Sequence, residues 1–157
     1  MGGVIAIDPG KRTGWAWFDG RRLIRAGTNT DAEILASPPH GEAPRNHARA
    51  CDVAIIEVPR IYPRGGKGDQ NDLIDLAVLV GDLRGFYRRH GFTVRLVPPR
   101  TWKGTAPKHI HGERVLAALT PAERALLPRR PRAGTFDHNM LDAVGLGLFQ
   151  LKREQQP

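Results

Sequence analysis

Short apolar runs that end in turn signals divide the first fifth of the chain into strands. Residues 3–8 are apolar until their last position and precede a Pro-Gly turn. Residues 14–18 and 21–28 form two further runs of this kind, separated by Asp19-Gly20, which is typical of a hairpin turn. Three consecutive strands joined by short turns predict an antiparallel meander.

Further along, strand-like runs alternate with helical periodicity. Residues 53–58 and 93–97 are β-rich segments that end at prolines, and residues 71–90 have apolar side chains at helical spacing. The stretch from Asp31 to Ala50 contains several prolines and is expected to be mostly loop. Later helices are predicted over 108–119, from Pro121, and from His138 to Lys152 with Asp137 as N-cap. This order predicts an α/β fold, in which a mixed sheet has helices on its faces.

The charge balance points to the class of partner. The chain has 24 Lys and Arg against 16 Asp and Glu, which gives a net charge of +8. Such an excess favours a polyanionic partner, and nucleic acid is the default candidate.

Length and cysteine content suggest one domain in a reducing compartment. A chain of 157 residues with 40% apolar content suits a single core, so we expect one domain over residues 1–157. The lone Cys51 excludes an intramolecular disulfide and a cysteine-based zinc cluster, which favours the cytoplasm. No apolar run approaches the roughly 18 residues that span a bilayer, and no signal segment is evident. We therefore expect no association with a membrane.

Acidic residues recur at the ends of, or inside, otherwise apolar elements. They are Asp8, Glu57 and Asp142. Asp142 is the hardest to explain as a surface charge, because no other charged residue lies between Met140 and Phe149. Buried acids repel one another, and a divalent cation is the usual resolution. The alternative is that all three are structural, as caps, turn formers or partners of the many arginines.

If these acids converge, the chemistry they fit is hydrolysis at a phosphate. Two divalent ions about 4 Å apart can activate water and stabilise the leaving oxygen, and carboxylates are the ligands that Mg²⁺ and Mn²⁺ prefer. His138 and Asn139 precede Asp142 by four and three residues, which places them on nearly the same helical face. His138 is either an acid–base group or ligand, or an exposed residue of the first turn.

Four short motifs carry a family resemblance. They are Ile7-Asp8-Pro9-Gly10, Thr13-Gly14-Trp15-Ala16, Ile55-Ile56-Glu57 and Asp142-Ala143 in a C-terminal helix. In this order and at this spacing, the chain resembles the RuvC-type Holliday junction resolvases of the ribonuclease H-like superfamily. The resemblance implies a five-stranded mixed sheet, a homodimer, and metal-dependent nicking of two strands at a four-way DNA junction.

The resemblance also implies roles for individual residues. By motif position, Asp8, Glu57 and Asp142 would be catalytic residues and ligands of Mg²⁺ or Mn²⁺, with two ions per site. The family commonly has an acid or a histidine three residues before the last Asp, where this chain has Asn139. Either Asn139 ligates weakly, or His138 or Asp137 takes the position through a shifted helix start, and we favour His138.

Basic residues after two strands are candidates for contact with DNA. The resemblance places Lys103 and Lys108 near the scissile phosphate and the junction backbone, and a lysine beside the acids would stabilise developing phosphate charge. The loop after Glu57 contains Arg64 and Lys67 among glycines and a tyrosine, and it can close over a DNA backbone. For both sets of residues, the alternative is that they are solvated loop residues that do not contact DNA. The arginines between Pro128 and Arg132 are a weaker candidate.

The combined hypothesis is a metal-dependent endonuclease for branched DNA, with residues 71–90 helping to form the dimer. A ribosomal-RNA-processing nuclease of the same superfamily is one alternative, and a nonenzymatic DNA-binding module is another. An actin-like ATPase or sugar kinase also shares a strand, an Asp and a glycine turn, but its fold needs two such domains and this chain is too short.

Overall fold

The structure, a computed structural model, describes residues 2–30, 33–34, 52–59, 70–105, 107–130 and 133–153. The strands in these ranges are β1 (Gly3–Asp8), β2 (Thr13–Asp19), β3 (Arg22–Asn29), β4 (Val53–Glu57) and β5 (Thr93–Val97). The helices are α1 (Gln70–Arg89), α2 (Pro99–Trp102), α3 (Lys108–Ala118), α4 (Pro121–Ala125) and α5 (His138–Gln150).

The five strands form one mixed sheet in the order β3-β2-β1-β4-β5. The β1, β2 and β3 strands pair antiparallel, whereas β4 lies parallel to β1, and β5 lies parallel to β4. The register places Ile7 opposite Trp15 on one side and opposite Ile56 on the other. The predicted fold class, a three-stranded meander extended by parallel strands and flanked by helices, is confirmed.

Side chains alternate between the two faces of the sheet, and each face has its own apolar cluster. On one face, Ile5, Ile7 and Ile56 pack in a cluster with α1, which contributes buried residues Leu79, Val80, Leu83 and Tyr87. On the other face, Val4, Ala6 and Ile55 pack in a cluster with α5, which contributes Met140, Leu141, Ala143, Val144, Leu146 and Leu148. The helix α5 is buried along most of its length, as its apolar sequence predicts.

The helix boundaries follow local capping chemistry. The Asp137 carboxylate accepts a hydrogen bond from the Asn139 backbone N–H at 3.0 Å, which confirms the predicted N-cap of α5. Helix α5 ends at Gln150, two residues before the predicted end, because Lys152 adopts a left-handed φ of 52°. Pro121 occupies the first turn of α4 as predicted, and Thr120 and Glu123 form a capping box around it.

The start of α5 lies directly over the β1–β2 hairpin. A Cβ on Gly14 would overlap the backbone carbonyl of Asn139, so the strand and the helix can approach this closely only at a glycine. Gly14 pairs with Asp8 in the sheet. This contact therefore brings the N-terminal half of α5 to the edge of the sheet where β1 ends.

In the described ranges, no helix combines the length and apolar content needed to cross a membrane. The predicted loop from Asp31 to Ala50 and the loop that contains Arg64 and Lys67 lie outside these ranges, apart from Glu33 and Ile34.

Candidate active site

Two of the three predicted acids are neighbours at one edge of the sheet. Asp8 is the last residue of β1, and Glu57 is the last residue of β4. The two strands are parallel and in register at Ile7 and Ile56, so their final residues lie side by side. Glu57 contributes to the raised pKa of Asp8, so the two carboxyl groups are close enough to influence each other's ionisation.

The third acid, Asp142, reaches the same place from the second turn of α5. It is only 9% exposed, although it is a charged residue in an apolar helix. Lys103 forms a short ion pair with its Oδ2 atom, and His111 Nε2 lies 3.5 Å from its Oδ1 atom. Asp142 also acts electrostatically on both Asp8 and Glu57, so the three acids form one cluster.

The cluster holds more negative charge than its surroundings compensate. Burial, followed by the charges of Glu57 and Asp142, raises the pKa of Asp8 to about 8, although Lys103 opposes the shift. Burial also raises the pKa of Glu57, against the effects of Lys103 and of a hydrogen bond from Trp102. Perturbed carboxylates that share one location are a mark of functional sites, because folding alone gains nothing from them.

The positive charge in the cluster comes from the segment that follows β5. Lys103 is the C-cap of α2, and its side chain is 17% exposed where it meets Asp142. Its Nζ atom also lies 5.4 Å from the centre of the Trp102 ring. The short helix α2 thus turns the chain back from β5 toward the acids and delivers Lys103 to them.

The candidates for a fourth ligand lie at the start of α5 and differ in exposure. Asn139 is half-buried, whereas His138 is exposed and acts electrostatically on Asp137. Asp137 is the helix cap, and it also accepts a hydrogen bond from Arg130 at 3.0 Å, with Arg12 at 3.8 Å. Burial opposes its ionisation, but the Asn139 backbone N–H, Arg130 and the charge of His138 hold the pKa of Asp137 below its usual range. The contacts of Asp137 are therefore with the start of α5 and with two arginines, and not with the three acids.

The remaining predicted DNA contacts are only partly visible. Lys108 is the first residue of α3, and its backbone alone is described. Arg64 and Lys67 lie outside the described residues. Arg129 packs over the Phe136 ring at 4.8 Å, so this arginine has a structural contact near the start of α5.

Two residues that the sequence did not suggest also touch the acids. The indole N–H of Trp102 donates to Glu57 Oε2 at 2.8 Å, and His111 contacts Asp142. Their rings meet edge to face, with centroids 5.1 Å apart. The sequence signal for Trp102 was its position next to Lys103, but nothing in the sequence separates His111 from His109, its neighbour on α3.

Comparisons with known proteins gave matches at the level of structure only. No protein-family model matches the chain, and no curated protein sequence matches it. A structure of Thermus thermophilus RuvC in complex with a Holliday junction substrate matches with a TM-score of 0.62. It is 16% identical in sequence, and the match covers 95% of this chain and 92% of that one. This chain has the fold of RuvC.

A second structure of Thermus thermophilus RuvC matches with a TM-score of 0.55 and 17% identity, over 94% of this chain and 92% of that one. The similarity to RuvC therefore extends from the meander to the last helix.

On this RuvC fold, the acids are arranged as a charged cluster held by a lysine. Among the described residues, no group of three or more His, Cys, Asp or Glu side chains is arranged to hold a metal ion. Lys103 instead occupies one oxygen of Asp142. The donor chemistry nevertheless suits Mg²⁺ or Mn²⁺, because three carboxylates meet with unbalanced negative charge.

Proposed function

We propose that this chain is a metal-dependent endonuclease that resolves four-way DNA junctions in the cytoplasm. The observation that carries the proposal is the convergence of Asp8, Glu57 and Asp142 on a RuvC fold that spans 95% of the chain. A net charge of +8 suits a DNA substrate. The first matching RuvC structure was solved with a Holliday junction substrate, and this likeness supports the choice of substrate.

In this proposal, Asp8, Glu57 and Asp142 hold Mg²⁺ or Mn²⁺, with two ions per site. The bound cations would supply an acidified water and a counter-charge for the leaving oxygen. The raised pKa of Asp8 supports this role, since the cluster is short of positive charge. For a fourth ligand or acid–base group we propose His138, with Asn139 as the alternative.

Lys103 is proposed to act on the DNA phosphate. Its ammonium group already lies among the acids, where it contacts Asp142, and it is the cation nearest the cluster in the described part of the chain. An ammonium group at this place would stabilise the negative charge that develops on a phosphate in the transition state. We propose Lys108, Arg64 and Lys67 as further contacts to the DNA backbone.

A homodimer is proposed because a four-way junction needs two coordinated cuts. Helix α1 has an apolar stripe that the described residues leave exposed, in which Ile74 is 61% and Val78 is 59% exposed. Gly81 and Gly85 continue this face at helical spacing, and no described atom lies within 4 Å of a Cβ placed on either. Sedimentation equilibrium should give a dimer for the unmodified protein and a shift toward monomer for Val78→Lys.

The deciding experiment compares two Asp→Asn variants of the same strand pair. Asp8→Asn removes a carboxylate at the acidic edge, and Asp19→Asn makes the same change at an exposed residue at the opposite end of the sheet. Each protein is incubated with a labelled four-way junction, a flap, a linear duplex and structured RNA, in Mg²⁺ or in Mn²⁺. We expect paired nicks in the junction, lost in Asp8→Asn and kept in Asp19→Asn.

Other outcomes of this assay contradict the proposal in distinct ways. Junction cleavage that survives Asp8→Asn would remove the acids from the mechanism. Preferential cleavage of RNA would favour the ribosomal-RNA-processing branch of the superfamily. Tight junction binding without cleavage in either metal would indicate a nonenzymatic binding module.

A further inference from the structure

The segment after β5 contacts the acids through a neutral donor as well as through Lys103. Trp102, the last residue of α2, donates its indole N–H to Glu57 Oε2 at 2.8 Å. The Trp102 side chain is 8% exposed, and Glu57 lies at the end of β4, 45 residues earlier in the chain. The hydrogen bond therefore ties two distant segments together at the cluster.

We propose that Trp102 is a positioning residue, which holds one oxygen of Glu57 so that this carboxylate is correctly oriented to bind a divalent cation. The inference rests on the proposed function, since it assumes that Glu57 is a metal ligand. An indole N–H can donate but cannot accept, so it binds a carboxylate oxygen without competing for the cation. Partners of this kind commonly orient ligating groups in metal sites.

The packing around Trp102 fixes the direction in which its N–H points. The Trp102 ring contacts the His111 ring edge to face at 5.1 Å. Both rings press against α5 at Gly145, where a Cβ would lie 2.9 Å from Trp102 Cζ3 and 3.1 Å from His111 Nε2. A glycine at this position is what lets the two rings approach the helix so closely.

The same packing links Trp102 to the third acid. Gly145 lies three residues after Asp142, so the two share one face of α5. His111 touches Asp142 on one side and Trp102 on the other. Trp102 therefore occupies a fixed position between Glu57 and the helix that carries Asp142, whereas Lys103 has a flexible side chain.

The test measures Mn²⁺ affinity, which a merely structural tryptophan would not affect. Trp102→Phe keeps an aromatic ring but removes the N–H. Isothermal titration of Mn²⁺ into this variant should give a dissociation constant about tenfold higher or more than for the unmodified protein. Junction binding without added metal should be unchanged, and cleavage at subsaturating Mn²⁺ should fall in parallel with affinity.

The chain offers a matched control in Trp15. This indole is 6% exposed and also donates to a side chain, Asn29 Oδ1, at 2.5 Å, but on the meander and away from Glu57. Trp15→Phe therefore removes a comparable buried hydrogen bond. We expect its Mn²⁺ affinity to match that of the unmodified protein, whatever its effect on the melting temperature.

A second replacement covers the case in which Trp102→Phe does not fold. Incorporation of 3-(benzothiophen-3-yl)alanine at position 102 keeps the bicyclic shape and replaces the N–H with sulfur. Unchanged Mn²⁺ affinity in the folded variants, or absence of Mn²⁺ binding by the unmodified protein, would overturn the inference. An unmodified protein that binds Mn²⁺ but cuts no junction would contradict the proposed function alone.

Discussion

The surroundings of Glu123 and those of the cluster of Asp8, Glu57 and Asp142 are built in opposite ways. Glu123 is 2% exposed, and its carboxylate accepts hydrogen bonds from Arg153, the Leu23 backbone N–H and Thr120. The Arg153 hydrogen bonds, above all, lower the pKa of Glu123 to about 2. Asp8 is also withdrawn from water, but its neighbours are acids, and its pKa is raised to about 8.

The difference separates a structural acid from the acids that we propose bind metal. Glu123 joins α4, β3 and the residues after α5, so its charge is satisfied by the fold itself. The cluster of Asp8, Glu57 and Asp142 leaves negative charge that the fold does not satisfy, and Lys103 is its only close cation among the described residues. Uncompensated negative charge lowers the stability of the fold. Such a cost is expected where acids serve a function other than folding.

The sharpest test of this comparison exchanges one acid from each group for its amide. In the proposed function, Glu57→Gln should lower the junction cleavage rate about 1000-fold or more, because a metal held by Glu57 would supply several kcal/mol of transition-state stabilisation. Its melting temperature should stay the same or rise. Glu123→Gln should show the reverse, with lower stability and near-normal cleavage of the folded protein. Single-turnover kinetics measure the cleavage rate, and thermal melts measure stability. If both variants lost both cleavage and stability, the distinction between the two sets of acids would be wrong.

Removal of one member of the Glu123–Arg153 ion pair should have the next largest effect, which is on the stability of the fold. Glu123→Ala leaves the Arg153 guanidinium, whose side chain is 15% exposed, without its main partner. Loss of one member of a buried pair should cost about 3 kcal/mol in the free energy of unfolding, measured in urea. Glu113→Ala, an exposed acid on α3, is the control and should change this free energy by about 0.5 kcal/mol or less.

The two groups should also give opposite pH dependence. Glu123 has a lowered pKa, so its contribution to stability is present above pH 4.5 and is lost as the pH falls toward 2. Asp8 has a raised pKa, so the folded protein keeps a proton that the unfolded chain releases near pH 3.8. Without metal, this group makes stability fall as the pH rises from about 4 to 8.

Urea unfolding across this pH range in a chelating buffer checks both slopes. Asp8→Asn should flatten the decline between pH 4 and 8, and Glu123→Gln should weaken the loss at acid pH. An Asp8→Asn variant with the unmodified slope would show that Asp8 is ionised in the folded protein at neutral pH.

The smallest expected effect belongs to an exposed ion pair. Lys11 and Asp72 approach to 3.1 Å, but their side chains are 85% and 54% exposed. Solvent and salt screen such a pair, so Lys11→Ala should change the free energy of unfolding by about 0.5 kcal/mol or less. A larger decrease in the free energy of unfolding would show that exposure does not predict how much an ion pair stabilises this protein.

Much of the fold was predictable because local patterns and tertiary structure agree. The strands that end at Asp8 and Glu57, the cap at Asp137 and the proline at the start of α4 all have short-range causes. The capping box of Thr120 and Glu123 also has a local sequence signature. The ion pair between Glu123 and Arg153, which are 30 residues apart, has no such signature.

The sequence by itself determined the order of the strands and helices and the three acids that interrupt apolar elements, because these depend on side-chain type and on period. Only the tertiary structure decided which groups surround each acid. Trp102 meets Glu57, Lys103 and His111 meet Asp142, and Arg153 meets Glu123. These contacts depend on the sheet register and on the docking of α5 at Gly14, and no local pattern encodes either.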